Sequence, residues 1–192
     1  MYLTYKAIPD RWISCMEILN EIGLGSPPII AGGAIMSRLL PNYRAKDVDI
    51  FVGGVNQFEQ KTLRHICESL HGEVKVIREP ISERRYVEEL ASSGDGLRSS
   101  SNFHWIPTDY PDLLVDVILT EERFSSQSLM SSFDITLSQC SYSQGTFHLS
   151  PDFLQDVRDE VLRVVNPKPT SSERVKKYLK VFPGFTVIGH GL

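Results

Sequence analysis

Residues 28–52 read PIIAGGAIMSRLLPNYRAKDVDIFV and contain two glycines followed by two closely spaced aspartates. The apolar start of this stretch, Ile29 to Ala31, predicts a short buried strand, and the two glycines that follow predict a turn into a helix from Ala34 to Leu40. Glycines at a strand-to-helix turn let an anion approach the backbone N–H groups at the positive end of the helix. We therefore expect Gly32 and Gly33 to cradle a phosphate group.

The end of the same stretch, DVDIFV at residues 47–52, has the β-branched and apolar content of a strand. Because successive side chains of a strand point to opposite faces, Asp47 and Asp49 are expected on one face, about 7 Å apart. Two carboxylates on one face repel each other, and nothing in the neighbouring sequence neutralises both. A divalent cation is therefore their expected partner.

Two glycines, a thirteen-residue spacer and the Asp47-x-Asp49 strand resemble the signature of the DNA polymerase β-like nucleotidyltransferase superfamily. The resemblance is closest to the head domain of tRNA nucleotidyltransferases (CCA-adding enzymes) and their poly(A) polymerase relatives. Leu39-Leu40 stands where that branch has two leucines, but Met36-Ser37 replaces the Arg-Asp that precedes them. The neighbouring Arg38 is the candidate substitute for this nucleotide contact. A glycine turn or a DxD strand alone is weak evidence, whereas both in this order and spacing favour the resemblance.

This resemblance implies an α/β (α+β) fold, in which helices flank a mixed central sheet and a short C-terminal helical stub follows. The implied head domain covers residues 1–166, and a C-terminal helix and tail, 167–192, pack on it. The implied activity moves a nucleoside monophosphate from an NTP, ATP favoured, to an acceptor hydroxyl, with release of pyrophosphate. The 3′ end of RNA or tRNA is the favoured acceptor. The implied cofactors are two Mg²⁺ ions, with Mn²⁺ as a substitute.

The composition, 41% hydrophobic and 23% charged over 192 residues, is that of an ordinary globular protein. No apolar run approaches the roughly 18 residues of a membrane span, and the first residues lack a signal-peptide pattern, so we expect a cytoplasmic protein without a membrane partner. The net charge of −4 gives no general attraction to nucleic acid, so an RNA partner would need a local basic patch. The oligomeric state has no signal in the sequence.

A third carboxylate interrupts the apolar run LLVDVIL at residues 113–119. This run and residues 102–107 are expected to form paired strands. A buried unpaired charge is costly, so Asp116 needs a cation or hydrogen-bond partners unless it lies at a solvated strand edge. In the superfamily that the chain resembles, a neighbouring strand supplies a third acidic metal ligand, and Asp116 matches that position.

Residues 131–143, SSFDITLSQCSYS, resemble the CCA-adding segment Arg-Arg-Asp-Phe-Thr-Ile-Asn-Ala. Asp134 and Thr136 match this segment, whereas Ser132 and Phe133 replace its two arginines. The resemblance implies that Asp134 organises the site or contacts the nucleotide. Capping of a short helix is the alternative role for Asp134.

Three further elements are expected from periodicity. A helix from Asp10 to Ile22 is capped by Asp10, and a second helix, capped by Asn56, runs to about Leu70. The apolar residues expected to form its buried stripe are Phe58, Leu63, Ile66, Cys67 and Leu70. Residues 80–90 predict an edge strand or a short helix, and residues 91–101, ASSGDGLRSSS, predict a loop.

The last helix, expected from Ser171 to Phe182, has a basic face. Its cationic residues are Arg174, Lys176, Lys177 and Lys180. A solvated face is the simpler interpretation, and a patch that follows RNA phosphates is the functional one.

Two alternatives to the leading function stay open. The missing Arg-Asp and Arg-Arg pairs suggest a nucleotide-binding or partner-binding module without turnover, whereas the three carboxylates argue for an enzyme. For an enzyme, a hydroxyl on a protein or on a small molecule is the alternative acceptor.

Overall fold

The structure is a computed structural model that describes residues 2–78, 99–165 and 172–189, in which helices surround a seven-stranded sheet. The helices in these ranges are α1 (Asp10–Glu21), α2 (Gly33–Leu39), α3 (Gln57–Ile66), α4 (Ser126–Ser131), α5 (Pro151–Asp159) and α6 (Ser172–Val181). The strands are β1 (Ile29–Ala31), β2 (Val48–Val52), β3 (Gly72–Arg78), β4 (Ser99–Pro107), β5 (Val115–Thr120), β6 (Cys140–Ser143), β7 (Thr146–Leu149), β8 (Val161–Val164) and β9 (Thr186–Gly189). None of these helices has both the length and the apolar character that a membrane crossing requires.

The large sheet is mixed, with the strand order β3-β4-β5-β2-β1-β6-β7. Strands β2 and β5 are parallel, and the other neighbouring pairs are antiparallel. Strands β8 and β9 form a separate parallel pair. The expected α/β fold with a mixed central sheet is therefore confirmed, as is the pairing of β4 with β5.

The two faces of β2 have different surroundings. Val48 and Ile50 are buried in the main hydrophobic core, together with side chains of α1 and α3. Asp49 and Phe51 project from the opposite face, as strand alternation requires. Helix α4 covers part of that face, because Leu129 packs with residues of β1 and with Phe51. The carboxylates therefore lie on a face that is only partly covered by protein.

Helix α3 begins as the sequence predicts, but its buried stripe differs. Asn56 accepts hydrogen bonds from two first-turn N–H groups and forms a capping box with Glu59. The prediction for Phe58 and Leu70 was wrong, because these side chains are 78% and 73% exposed. A π-helical turn over residues 67–71 changes the phase of the helix before Leu70. In the first part of the helix, Gln60 is buried, and its side-chain amide donates a hydrogen bond to the backbone carbonyl of Val55.

Other elements depart slightly from expectation. Asp10 is the first residue of α1 rather than its cap, because Pro9 occupies the N-cap position without a side-chain hydrogen bond. Residues 80–90 lie outside the described part of the chain. Of the expected loop, only Ser99–Ser101 is described, and these residues already belong to β4.

The C-terminal helix packs on the rest of the protein. The main core includes two residues of α6, Val175 and Tyr178, and two that follow the helix, Phe182 and Phe185. The following strand β9 pairs with β8, so the tail also packs back. The division of the chain at residue 166 stays a prediction.

Candidate active site

The parallel pairing of β2 with β5 brings two carboxylates together. Asp49 and Asp116 are directly opposite each other in the register. Neighbouring strands lie about 4.8 Å apart, so the two side chains start side by side on the same face of the sheet. Asp47 precedes β2 and is close enough for its charge to influence Asp49. The three acidic residues predicted from the sequence therefore meet at one corner, which we call the carboxylate corner.

The pKa of Asp49 depends on the surroundings of the carboxylate corner. Burial, together with the negative charges of Asp47 and Asp116, raises the pKa of Asp49 from 3.8 to about 7. Arg174 and Lys177 act in the opposite direction on the same carboxyl group. Asp49 therefore lies in a buried, negatively charged environment that opposes its ionisation, which a bound cation would relieve.

Asp116 has a polar neighbour and a central position in the sheet. The side-chain amide of Asn102 donates a hydrogen bond to Oδ1 of Asp116 over 3.4 Å. β5 lies between β4 and β2, so Asp116 is not on an edge strand, and its side chain is only partly buried. Sequence reasoning did not single out Asn102, although its position at the start of an expected neighbouring strand was available.

The glycine turn leaves space beside Asp49. Gly32 has φ +66°, a conformation that favours glycine, and a Cβ added there would lie 4.0 Å from Oδ2 of Asp49. The N–H group of Gly32 already donates to the carbonyl of Cys140 over 2.9 Å. Gly32 would therefore contribute space next to the Asp49 carboxylate, and not the N–H donor that the sequence suggested. The N–H group of Gly33 stands in the first turn of α2, where helices lack internal acceptors.

Helix α6 supplies cations to the carboxylate corner. Nε of Arg174 forms an ion pair with Oδ2 of Asp134 over 3.0 Å, and the guanidinium carbon lies 5.9 Å from the ring centroid of Tyr178. Lys177 is exposed yet close enough to lower the pKa of Asp49. The prediction of a purely solvated basic face is therefore wrong for Arg174, whereas Lys176 pairs only with its helical neighbour Glu173 in the contacts of the described residues.

Asp134 is buried, with 4% of its surface exposed, and it holds Arg174. The cap role is wrong, because the 3₁₀ turn at residues 136–138 begins after Ile135 and has no side-chain cap. Asp134 is therefore a residue that positions a cation of α6.

Tyr43 joins α6 to the glycine turn, and sequence reasoning missed it. Its ring stacks on Tyr178 and Phe182, with centroid distances of 6.4 and 6.2 Å. Its hydroxyl oxygen would lie 3.2 Å from a Cβ added to Gly33. Burial, and next the neighbouring Tyr178, raises the pKa of Tyr43, so the hydroxyl group stays a hydrogen-bond donor at neutral pH. The sequence feature that could have identified Tyr43 is an aromatic residue inside an otherwise polar, basic loop.

Arg38 lies elsewhere. Its guanidinium carbon is 6.0 Å from the ring centroid of Trp12, which belongs to α1 and to the core on the other side of β2. The structure therefore does not bring Arg38 to the carboxylate corner with Asp49 and Asp116.

The residues present fit Mg²⁺ when substrate phosphates complete its coordination. Among the described residues, no three acidic, histidine or cysteine side chains form a ready-made metal cage. Mg²⁺ is normally held by one or two carboxylates together with phosphate oxygens and waters, so a complete protein cage is not required. Asp49 and Asp116 provide hard oxygen donors next to the space left by Gly32.

Comparison with solved structures identifies the architecture. A CCA-adding enzyme from Thermotoga maritima, solved in complex with tRNA, superposes over 95% of this chain with a TM-score of 0.62 and 15% identity. An apo form of a CCA-adding enzyme gives a TM-score of 0.63 at 13% identity, and a complex of such an enzyme with ATP gives 0.60 at 14%. The chain has the fold of a nucleotidyltransferase head domain.

This head-domain fold covers only part of those enzymes. The chain spans 40%, 41% and 40% of the three structures, respectively. Its sequence matches no known family model and no curated protein. At this level of identity the similarity establishes the fold alone.

The raised pKa of Asp49 predicts a pH-dependent gain of stability in the Asp49→Asn variant. The folded-state pKa, about 7, lies above the unfolded value of 3.8, so ionisation of Asp49 destabilises the metal-free wild type as the pH rises between these values. One pKa unit corresponds to about 1.4 kcal/mol, and the residual solvent exposure of Asp49 reduces the total. We expect Asp49→Asn to exceed the wild type by about 2 kcal/mol at about pH 8, measured by urea unfolding with a chelator. The difference should vanish near pH 4, and a difference that does not change with pH would contradict the raised pKa of Asp49.

Proposed function

We propose that the chain transfers a nucleoside monophosphate from an NTP to an acceptor hydroxyl. The acceptor hydroxyl group releases its proton to solvent as its oxygen forms a bond to the α-phosphorus, the bond between that phosphorus and the oxygen bridging to the β-phosphate breaks, and pyrophosphate leaves. The single observation that carries the proposal is the register of β2 and β5, which sets Asp49 beside Asp116 next to the space at Gly32. This is the arrangement that nucleotidyl transfer needs, because the reaction depends on positioning and on neutralising phosphate charge.

The acidic residues have the role of holding metal. Asp47, Asp49 and Asp116 would bind Mg²⁺, with Mn²⁺ as a substitute, jointly with the triphosphate. Bound there, a metal ion would neutralise charge on the phosphates and would lower the pKa of the acceptor hydroxyl group. Asn102 restrains Asp116 through its hydrogen bond, which keeps the carboxylate directed at the corner. Both other carboxylates influence the ionisation of Asp49.

The basic and aromatic residues bind and orient the nucleotide. Arg174 and Lys177 of α6 provide positive charge beside the carboxylates, and the triphosphate is the anion that needs it. Asp134 fixes Arg174, so it contributes to nucleotide binding indirectly. Tyr43 offers a protonated hydroxyl group next to the first turn of α2. Gly32 leaves room for phosphate oxygens in this corner, and Gly33, against which the Tyr43 hydroxyl group lies, would contribute its first-turn N–H group.

ATP is the favoured donor, and the 3′ end of RNA is the favoured acceptor. Solved structures with the same fold include a CCA-adding enzyme with tRNA and one with ATP, which supports this choice. In this chain, the cations of α6 are the local patch that the overall negative charge requires for RNA. A protein or small-molecule hydroxyl is the alternative acceptor.

A second candidate is a nucleotide-binding module without turnover. The observation that favours it is the ion pair between Asp134 and Arg174, which already engages one cation of the corner. The two arginines of the CCA-adding segment, which would add positive charge, are replaced here by Ser132 and Phe133. Such a module would bind Mg²⁺ and NTP but release no pyrophosphate.

The Asp49→Asn variant tests the proposed transfer directly. The substitution keeps the size of the side chain and removes the charge that the metal needs, so we expect Mg²⁺-dependent pyrophosphate release to fall by at least about a thousandfold. Release is measured with each NTP and with total RNA as acceptor, and NTP binding is measured in parallel by calorimetry. Asp109→Asn is the control, because Asp109 is an exposed acid in the turn between β4 and β5. Wild-type protein that binds NTP without releasing pyrophosphate would favour the module, and unchanged release in Asp49→Asn would reject the role of Asp49.

A matched pair of lysines tests the contribution of α6. Lys177→Gln removes a charge that reaches Asp49, so we expect the KM for NTP to rise by roughly tenfold with little change in kcat, as for loss of an interaction with the ground-state triphosphate. Lys176→Gln, one residue earlier and also exposed, removes a charge that pairs with Glu173. Equal effects of both substitutions on KM would show that α6 acts only through its general charge.

A further inference from the structure

A polar cleft of about 910 Å³ lies beside α4, apart from the carboxylate corner. Its walls come from α4, from strand β7 and from the start of α5. Polar side chains that line it include those of Gln127, Ser131, Ser132, Gln139, His148 and Asp152. This volume is large enough for a nucleoside or a sugar.

The cleft adjoins the candidate active site along one segment of chain. Ser132 lines the cleft, and two residues later Asp134 holds Arg174, whose charge reaches Asp49. Helix α4 forms one wall of the cleft. It packs on the face of β1 and β2 that carries Asp49, as the contacts of Leu129 show. A molecule in this cleft would therefore lie on the carboxylate-bearing side of the sheet.

The lining of the cleft is fixed by hydrogen bonds. Gln139 is 7% exposed, and its side chain accepts from Oγ of Ser150 over 3.0 Å and donates to the carbonyl of Phe133 over 3.4 Å. Nε2 of His148 lies 3.1 Å from Oγ of the buried Ser143, which also contacts Ser126 at 3.0 Å. The side-chain amide of Gln139, held by these two hydrogen bonds, still has one N–H group and one oxygen lone pair for a ligand. These groups are oriented before any ligand arrives.

The charge of the cleft differs from that of the carboxylate corner. No lysine or arginine belongs to its lining in the described ranges, and its one carboxylate is Asp152. Phosphate groups would meet no cation among the described lining residues and one negative charge, so they are disfavoured. Amide, hydroxyl and imidazole groups instead match the donors and acceptors of neutral hydroxyl-bearing rings.

We propose that this cleft binds an uncharged, hydroxyl-bearing ring of the acceptor, either the nucleoside at the end of a polynucleotide or a free sugar. The role as an acceptor site rests on the proposed function, whereas binding itself does not. The two sites then divide the work: cations and carboxylates hold the triphosphate, and neutral polar groups hold the molecule that receives the nucleotide.

The test uses the full ¹⁵N-labelled chain without NTP or metal. Adenosine and methyl glucoside are titrated separately to millimolar concentration, and the side-chain amide signals of Gln127 and Gln139 are followed. We expect shifts with at least one ring. Adenosine alone would identify a terminal nucleoside as the ligand, and methyl glucoside, alone or in addition, would identify a free sugar.

Two variants and a control locate the binding. Ser131→Trp fills the cleft from an exposed position on its rim, and Gln127→Ala removes a lining amide without adding bulk. Both should weaken binding, the first by at least about tenfold. Ser69→Trp, at an equally exposed serine beside β3 at the opposite edge of the sheet, should leave it unchanged. Absence of binding by either ring, or binding that both cleft variants leave intact, overturns this proposal. Pyrophosphate release by the wild type would still support the proposed function in that case.

Discussion

The parallel pairing of β2 with β5 is the constraint on which the site depends, because it sets Asp49 beside Asp116 on one face of the sheet. Two carboxylates in neighbouring positions of a sheet destabilise each other, and here burial adds to the effect by raising the pKa of Asp49. A shift of the register by one residue would move one of them to the hydrophobic face. The apolar residues that alternate with them, such as Ile50 and Val117, prevent such a shift by being buried in the core.

Helix α6 is part of the same arrangement, since it brings compensating charge to the carboxylates. The stacking of Tyr178 and Phe182 on Tyr43 fixes the helix against the loop that leads into β2. The ion pair between Asp134 and Arg174 fixes it against the segment after α4. Folding of the C-terminal helix and assembly of the site are therefore linked, and the apolar contacts that bury α6 also set its cations in place.

The sequence predicted the features of the site that are local. Strand alternation is enough to place Asp47 and Asp49 together, and a charge within an apolar run is enough to single out Asp116. The identity of the parallel neighbour, by contrast, depends on topology, which period-two patterns do not encode. The basic face of α6 was visible in the sequence, but the sequence did not show that Arg174 reaches the corner, because this depends on the long-range contacts of Arg174 with Asp134 and of Tyr178 with Tyr43.

Two local errors have physical explanations as well. The stripe expected on α3 followed an ideal helical period, whereas the π-helical turn changes the phase and leaves Leu70 exposed. The turn at Gly32 and Gly33 has the expected strand-to-helix geometry, but the amide of Gly32 completes the pairing of β1 with β6. A sequence pattern shows which backbone groups are near a site, and only the sheet partners decide which of those groups are free.

We propose that three acidic residues and a glycine turn form one metal and triphosphate site. Paramagnetic broadening by Mn²⁺, recorded on the amide signals of the labelled full chain with a non-hydrolysable ATP analogue, measures it most directly. Substoichiometric Mn²⁺ should first broaden the signals of Gly33, Asp49 and Asp116, and Asp116→Asn should weaken that effect. Broadening centred on exposed acids such as Asp109, with the signals of Asp49 and Asp116 unaffected, would contradict this claim.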